Sequence, residues 1–196
     1  MRWDQLFDDL EGQLERELTA EEVDLEAEEE RLRLGRLSVR DRLVALQEAG
    51  ESAVSLLLTG GLRVSLRPVT FGRDWFSADL LDGSSRRGQC IVPLDSIAGI
   101  TLDRQQIAAS LHPREASGGH PSLSSRLGLT FVLRDLCRRR RPVDLVLADA
   151  VLHGTIDRVG RDHLDLAVHE AGAVRREGSV AEYRVIAFAA ITYVKL

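Results

Sequence analysis

Two stretches of this chain carry the same local pattern. Residues 69–83 read VTFGRDWFSADLLDG, and residues 157–172 read DRVGRDHLDLAVHEAG. Each contains Gly-Arg-Asp, then a bulky residue, then apolar residues at alternate positions, which is the period of a half-buried strand. We interpret the pair as an internal repeat, in which a glycine makes a tight turn and the following aspartate bonds backbone amides of that turn. The turn residues are Gly72 and Asp74 in the first stretch and Gly160 and Asp162 in the second.

The repeat extends to both sides of these turns. The distance from Val54 to Gly72 is 18 residues and that from Val143 to Gly160 is 17, so one copy must absorb an extra residue. A bulge near Pro68 is the expected place, because a bulge adds one residue to one strand. The other matching positions are Val54-x-Leu56-x-Leu58 with Val143-x-Leu145-x-Leu147, Ile97 with Ile191 and Ile100 with Val194.

Each copy is predicted to be a helix followed by five short strands. The first helix is SVRDRLVALQEAG, which ends at Gly50, and the second begins at Ser122 or Ser124 and ends near Arg140. Five strands of this length are too short to form a stable flat sheet, so we expect each set to curl into a small barrel that removes exposed edges. The second helix is expected to turn Leu127, Phe131, Val132 and Leu136 inward.

The alternating apolar residues of the strands are the predicted core, because one face of each strand must be buried. In the first copy these residues are Leu56, Leu58, Val64, Phe76, Leu80, Val92 and Ile97, and in the second they are Leu145, Leu147, Ile156, Leu164, Leu166, Ile186 and Ile191.

Charge divides the chain unevenly. Residues 1–34 hold thirteen acidic residues and four arginines, a formal charge of −9, which leaves +4 for the rest of a chain whose net charge is −5. Such asymmetry is typical of an interaction arm joined to a different body. The predicted organisation is an acidic helical arm (1–35), a helix with the first barrel (36–102), a linker (103–121) and a helix with the second barrel (122–196).

The arm carries an apolar stripe at helical spacing. A stripe of this size is too large to remain in water, so we expect it to be packed. It is suited to docking into a partner's groove, to packing across a homodimer, or to covering a face of its own barrels. The candidate partner-binding residues are Trp3, Leu6, Phe7, Leu10 and Leu14.

The helix followed by a strongly bent five-stranded barrel resembles the Sm-like family. Its first-half signature is matched by VSLLLTGGLRVSLRPVTFGRDWFSADL and by VDLVLADAVLHGTIDRVGRDHLDLAV, and the resemblance covers most of residues 38–102 and 122–196. The resemblance implies association with RNA or DNA. Family members that bind uridine-rich RNA add an arginine between the last two strands. Here those places read PLDSIAG and AFAAIT, so Asp74 and Asp162 are expected to serve the turns. The whole chain is also similar to uncharacterised proteins of high-GC Gram-positive bacteria.

The sequence predicts a protein without enzymatic activity. It contains no G-x-S-x-G, P-loop, H-E-x-x-H or Rossmann fingerprint. Cys90 and Cys137 lack CxxC spacing and are expected to be buried, inert thiols in a reducing compartment. We find no apolar run of the roughly 18 residues that a spanning helix needs and no secretory signal, so we expect a cytoplasmic protein that avoids membranes.

Two histidines are candidate metal ligands. His153 and His163 could face each other across neighbouring strands, with Asp162 near. The spacing is not diagnostic of a metal site, so hydrogen-bonded or solvated histidines are expected and neither metal nor cofactor is predicted.

Two binding functions remain open. The first is contact with nucleic acid through arginines, which suit phosphate oxygens. The second is a protein adaptor or scaffold that uses the acidic arm. For nucleic acid the candidate residues are Arg134, Arg138, Arg139, Arg140 and Arg141 at the second helix end, with Arg73 and Arg161 in the turns.

Overall fold

A computed structural model describes residues 22–50, 53–81, 88–112, 123–172 and 180–196. The chain divides into two compact units, Met1–Ser38 and Val39–Leu196. In the first unit, residues 22–36 form helix α1, along which Arg33 and Glu30 form an ion pair of 2.6 Å. The predicted stripe from Trp3 to Leu14 lies outside the described residues, so the arm's packing stays a prediction.

The second unit is mainly β, with four helices among its described residues. The helices are α2 (Val39–Glu48), α3 (Arg104–Leu111), α4 (Leu123–Arg126) and α5 (Leu129–Arg138). The strands are β1 (Val54–Leu58), β2 (Arg63–Phe71), β3 (Trp75–Leu80), β4 (Gln89–Pro93), β5 (Ile97–Thr101), β6 (Pro142–Val146), β7 (Val151–Val159), β8 (His163–Val168), β9 (Glu182–Ala187) and β10 (Tyr193–Lys195).

All ten strands belong to one antiparallel sheet, in the order β5-β1-β2-β3-β4-β10-β6-β7-β8-β9. We call β5-β1-β2-β3-β4 the first half and β10-β6-β7-β8-β9 the second half. They are joined where β4 pairs with β10, through Ile91 opposite Val194 and Cys90 opposite Lys195. Over the described residues the sheet is open, with β5 and β9 as its edges. Two separately closed barrels are therefore not confirmed.

The two halves share strand order and register. In both, the second strand has a register shift against the third, between Pro68 and Thr70 and between Ile156 and Arg158. A bulge near Pro68 therefore cannot hold the extra residue, because the other half has the same irregularity. The extra residue lies in the first hairpin turn, where Leu57 pairs with Arg63, whereas Val146 pairs with Val151.

The predicted core positions are inward-facing. Eleven of the fourteen are buried and form a hydrophobic core in each half. Val64, Leu147 and Ile97 are partly buried against these two cores. The first-half strands pack with α2, and the second-half strands pack with α5. Trp75 and Ile91 belong to the first half but are buried in the hydrophobic core of the second half. The two halves therefore share side chains at their junction.

The helix predictions needed two corrections. The predicted linker contains α3, which begins at a capping box between Asp103 and Gln106, and residues 113–122 lie outside the described part. The predicted helix from Ser122 or Ser124 to Arg140 is interrupted at Gly128. Because of this interruption, α5 buries a different face from the predicted one: Phe131 is exposed and Leu133 is buried.

Candidate functional site

The first Gly-Arg-Asp turn binds the start of a helix from the other half. The Asp74 carboxylate accepts a hydrogen bond of 2.7 Å from the Leu129 backbone N–H. The Leu127 carbonyl accepts two more at 2.9 Å, from the Arg73 N–H and the Trp75 Nε1–H. The prediction that Asp74 bonds amides of its own turn is therefore wrong, because its partner is a helix terminus far along the chain.

Gly128 explains why α5 needs this distant partner. It occupies the N-cap position but has no side-chain oxygen to accept the first free amides of the helix. Asp74 supplies that oxygen, and its negative charge suits the positive end of the helix. A Cβ at Gly128 would lie 2.7 Å from the Arg73 guanidinium, and the exposed arginine side chain would have to shift to admit it.

The glycine of each turn lies close against a ring. A Cβ at Gly72 would lie 2.1 Å from the Trp75 indole, and one at Gly160 would lie 2.6 Å from the His163 ring. Neither glycine has the positive φ that would mark a turn only glycine can adopt. Close packing against the buried Trp75 ring therefore requires glycine at position 72, whereas the His163 ring beside Gly160 is half-exposed.

The second turn has the same backbone and a different environment. Gly160 N–H donates to His163 C=O at 2.8 Å, just as Gly72 N–H donates to Trp75 C=O at 2.8 Å. The Asp162 side chain is 84% exposed, and its hydrogen bond of 2.8 Å with His163 Nδ1 is the main reason that its pKa is lowered. Among the described residues, no helix terminus is bonded to the Asp162 carboxylate.

The arginines at the end of α5 form an exposed basic surface. We call Arg134 and Arg138–Arg141 the arginine ridge, and all five are exposed. Asp135 pairs with Arg138 and Arg139 at 2.6 Å each, and Arg140 pairs with Asp157 at 3.0 Å. The hydrogen bond from Arg138 is the main cause that lowers the Asp135 pKa. Five guanidinium groups against two carboxylates leave the ridge with a net charge of +3.

Arg140 has an unusual backbone. Its φ is 52°, the one positive φ of a non-glycine residue among the described residues. Arg140 N–H donates to Cys137 C=O and Arg141 N–H to Leu136 C=O, which together form a Schellman motif. At the equivalent end of α2 the chain has Gly50 with a φ of 82°.

Arg73 and Arg161 do not extend the ridge along α5. Arg73 contacts the start of that helix at Gly128, whereas the ridge lies mainly at its end. Ten residues at 1.5 Å per residue separate these ends by about 15 Å. Arg161 is exposed in the second turn.

The histidines pair differently from the prediction. His153 and His163 do not face each other. His153 Nδ1 lies 2.5 Å from an Asp144 oxygen, and its ring packs edge-on against His169 with 5.2 Å between centroids. His169 Nε2 bonds the buried Thr155 hydroxyl at 2.9 Å. No group of three or more metal-binding side chains occurs in the described ranges.

Both cysteines are unpaired thiols. Burial is the main cause that raises the pKa of the Cys90 thiol to about 12, so it is a poor nucleophile. Cys137 is half-buried, and its thiol donates to the Asp157 carbonyl at 3.3 Å.

Comparisons with known proteins leave the family open. No family model matches the chain, and neither the curated proteins nor the solved structures gave a match. Within the described residues, no helix has the length and apolar character needed to cross a membrane.

Proposed function

We propose that this protein is a non-catalytic binding protein that associates with RNA or DNA through the arginine ridge. The proposal rests on the net charge of +3 at the end of α5, where every arginine of the ridge is exposed to solvent. Guanidinium groups bind phosphate oxygens with two parallel hydrogen bonds, and phosphate contacts supply most sequence-independent affinity.

Arg140 supports this proposal. A left-handed conformation costs a non-glycine residue about 1–2 kcal/mol, and the first half avoids that cost with Gly50. The second half has an arginine there, so the helix end places its guanidinium on the ridge at a conformational cost. An observed strained residue of this kind is a motive for a functional hypothesis.

The resemblance to Sm-like proteins belongs to the same proposal. Each half has the strand order in which the fifth strand lies beside the first, and each follows a helix. We propose that the halves are two bent Sm-like barrels fused through β4 and β10. Unpaired thiols at Cys90 and Cys137 suit the cytoplasmic location that the proposal includes.

The test is the salt dependence of binding to mixed-sequence RNA and DNA. Changing Arg138, Arg139, Arg140 and Arg141 together to glutamine should reduce the slope of log affinity against log salt by about 2–4, because each lost phosphate contact contributes nearly one. The matched control changes four exposed arginines elsewhere, and its slope should stay near that of the parent. The control residues are Arg63, Arg104, Arg126 and Arg158.

Three results would overturn the proposal: no binding by the parent at low salt, an unchanged slope in the ridge variant, or an equal loss in the control. The adaptor function remains the alternative. It rests on the stripe from Trp3 to Leu14, outside the described residues, and deletion of residues 1–34 with a measurement of mass in solution tests it.

A further inference from the structure

The helices α2 and α5 match residue by residue. We call two residues equivalent when they occupy the same position in the two halves. Leu43 and Leu46 of α2 are buried, as are Leu133 and Leu136 of α5. Each helix has ten residues, and the second residue after each helix has a positive φ. Because the buried pairs and the helix ends keep one spacing, the outer faces of the two helices can be compared directly.

The outer face of α2 is covered and that of α5 is not. The helix α3 packs on α2, where Val44 and Ala45 are buried. Their equivalents in α5 are Arg134, which is exposed, and Asp135, which is half-buried. The described element that packs most closely on α5 is a strand, β7. The face of α5 that carries Arg134 is therefore open over the described residues.

Phe131 lies on the same open face. Its side chain is 56% exposed, and it belongs to neither hydrophobic core. The equivalent residue of α2 is Asp41, so this position of the helix does not itself require an aromatic ring. The Phe131 ring is thus a large apolar group available to a ligand.

Two arginines of the ridge lie beside the Phe131 ring. Arg134 follows Phe131 by three residues and Arg138 follows it by seven, so the three side chains lie on one side of the helix. Side chains three residues apart have Cβ atoms about 5–6 Å apart. Asp135 accepts hydrogen bonds of 2.6 Å from Arg138 and Arg139, which holds both guanidinium groups in place. The face therefore presents one aromatic ring followed by a row of positive charge.

We propose that one unpaired base stacks on the Phe131 ring while the phosphates that follow it bind Arg134 and Arg138. The inference rests on the proposed function and deepens it, because it adds a base contact to a surface that otherwise binds only the backbone. Bases stack on aromatic side chains with little regard to sequence, whereas a base inside a duplex must first be unstacked from its neighbours. The preferred ligand is therefore a single strand of RNA or DNA.

A single strand suits this face better than a protein helix does. Arg134 and Asp135 replace the apolar pair that α2 has beneath α3, so a helix packed in the same way would bury charge against α5. A nucleic-acid strand needs only phosphates for the guanidinium groups and one base for the ring. The surface lies on α5 and uses none of the turns between strands.

Fluorescence anisotropy with a labelled mixed-sequence RNA strand, its DNA counterpart and the two duplexes tests the contact. Phe131→Ala should weaken binding of the single strands about tenfold, the scale expected for the loss of one stacked base. The slope of log affinity against log salt should not change, because no charge is lost. Duplex affinity should also stay the same, and Phe131→Trp should bind as the parent does.

The matched control is Tyr183→Ala, which removes another exposed aromatic ring, 62% exposed on β9, and should keep the parent's affinity. Phe131→Trp also gives a direct readout of stacking. Its additional indole fluorescence should be quenched by the single strand and not by the duplex. The parent, which has two tryptophans of its own, provides the background signal.

Three results would overturn this inference alone. They are a Phe131→Ala variant that keeps the parent's affinity for single strands, an equal loss in Tyr183→Ala, and an equal loss of duplex affinity in Phe131→Ala. The first of these would leave a protein helix as the ligand of this face. A parent that binds no nucleic acid at low salt would overturn the proposed function together with this inference.

Discussion

The two Gly-Arg-Asp turns have the same backbone and different neighbours. Asp74 bonds the first amide of α5, and Trp75 beside it is buried in the core of the other half. The Asp162 carboxylate bonds the adjacent His163 and its own backbone amide, and the side chains of both residues reach solvent. The first turn thus has a structural role, because the second half lies against it. The second turn has no further half beside it among the described residues and is an open surface.

The largest expected difference in the free energy of unfolding is between equivalent residues of β4 and β9. Ile91→Ala should lower the free energy of unfolding by about 2–4 kcal/mol, because it leaves a cavity in the shared core. Val185→Ala should change it by less than about 0.5 kcal/mol, because the side chain is exposed. Urea unfolding at low protein concentration measures both. Equal losses would show that the two positions have the same environment within one chain.

A smaller effect is expected at the turn carboxylates. Asp74→Ala should cost about 1 kcal/mol of unfolding free energy, because the first amide of α5 then loses its acceptor. Asp162→Ala should leave the stability of a single chain unchanged. Thermal unfolding of both variants at low concentration makes the comparison, and destabilisation by Asp162→Ala alone would reverse the assignment of roles.

The smallest effect is expected at the two helix ends. Arg140→Gly gives α5 the residue that α2 has in Gly50. It should raise the free energy of unfolding by about 0.5 kcal/mol, because relief of the left-handed conformation outweighs loss of the exposed ion pair with Asp157. Arg139→Gly should instead lower the free energy of unfolding by about 0.5–1 kcal/mol, because Arg139 has an ordinary helical φ of −79° and glycine gains nothing there. Chemical denaturation checks both signs. A loss in both variants would mean that the pair with Asp157 dominates.

Local pattern was enough to predict most strands. The two-residue period located them, and the spacing of Val54 and Gly72 against Val143 and Gly160 revealed the repeat. The capping box at Asp103 and Gln106 could have identified α3, although the helix carries little apolar pattern.

Contacts between the halves could not be predicted from local pattern. The pairing of β4 with β10 and the bond from Leu129 to Asp74 join residues distant in sequence, and neither has a signal in its own segment. Phe131 was misplaced because the break at Gly128 shifts the face that α5 buries. The arginine ridge was predicted as exposed, but its pairing with Asp135 and Asp157 was missed.

A disulfide within one chain tests the β4–β10 junction most directly. Leu196 N–H donates to Gln89 C=O, so the next pair, Cys90 and Lys195, is a non-hydrogen-bonded pair. The Cα atoms of such a pair lie about 4.5 Å apart, which suits a disulfide. Lys195→Cys should be made together with Cys137→Ser, and Thr101→Cys with Cys137→Ser is the matched control.

Mild oxidation of the Lys195→Cys protein should link the new thiol at position 195 to Cys90 within one chain, seen by mass spectrometry of a non-reduced digest. The Thr101→Cys control should keep Cys90 as a free thiol, because β5 lies at the far edge of the sheet from β4. A Lys195→Cys protein without the disulfide, or a control that links to Cys90 as efficiently, would contradict the account.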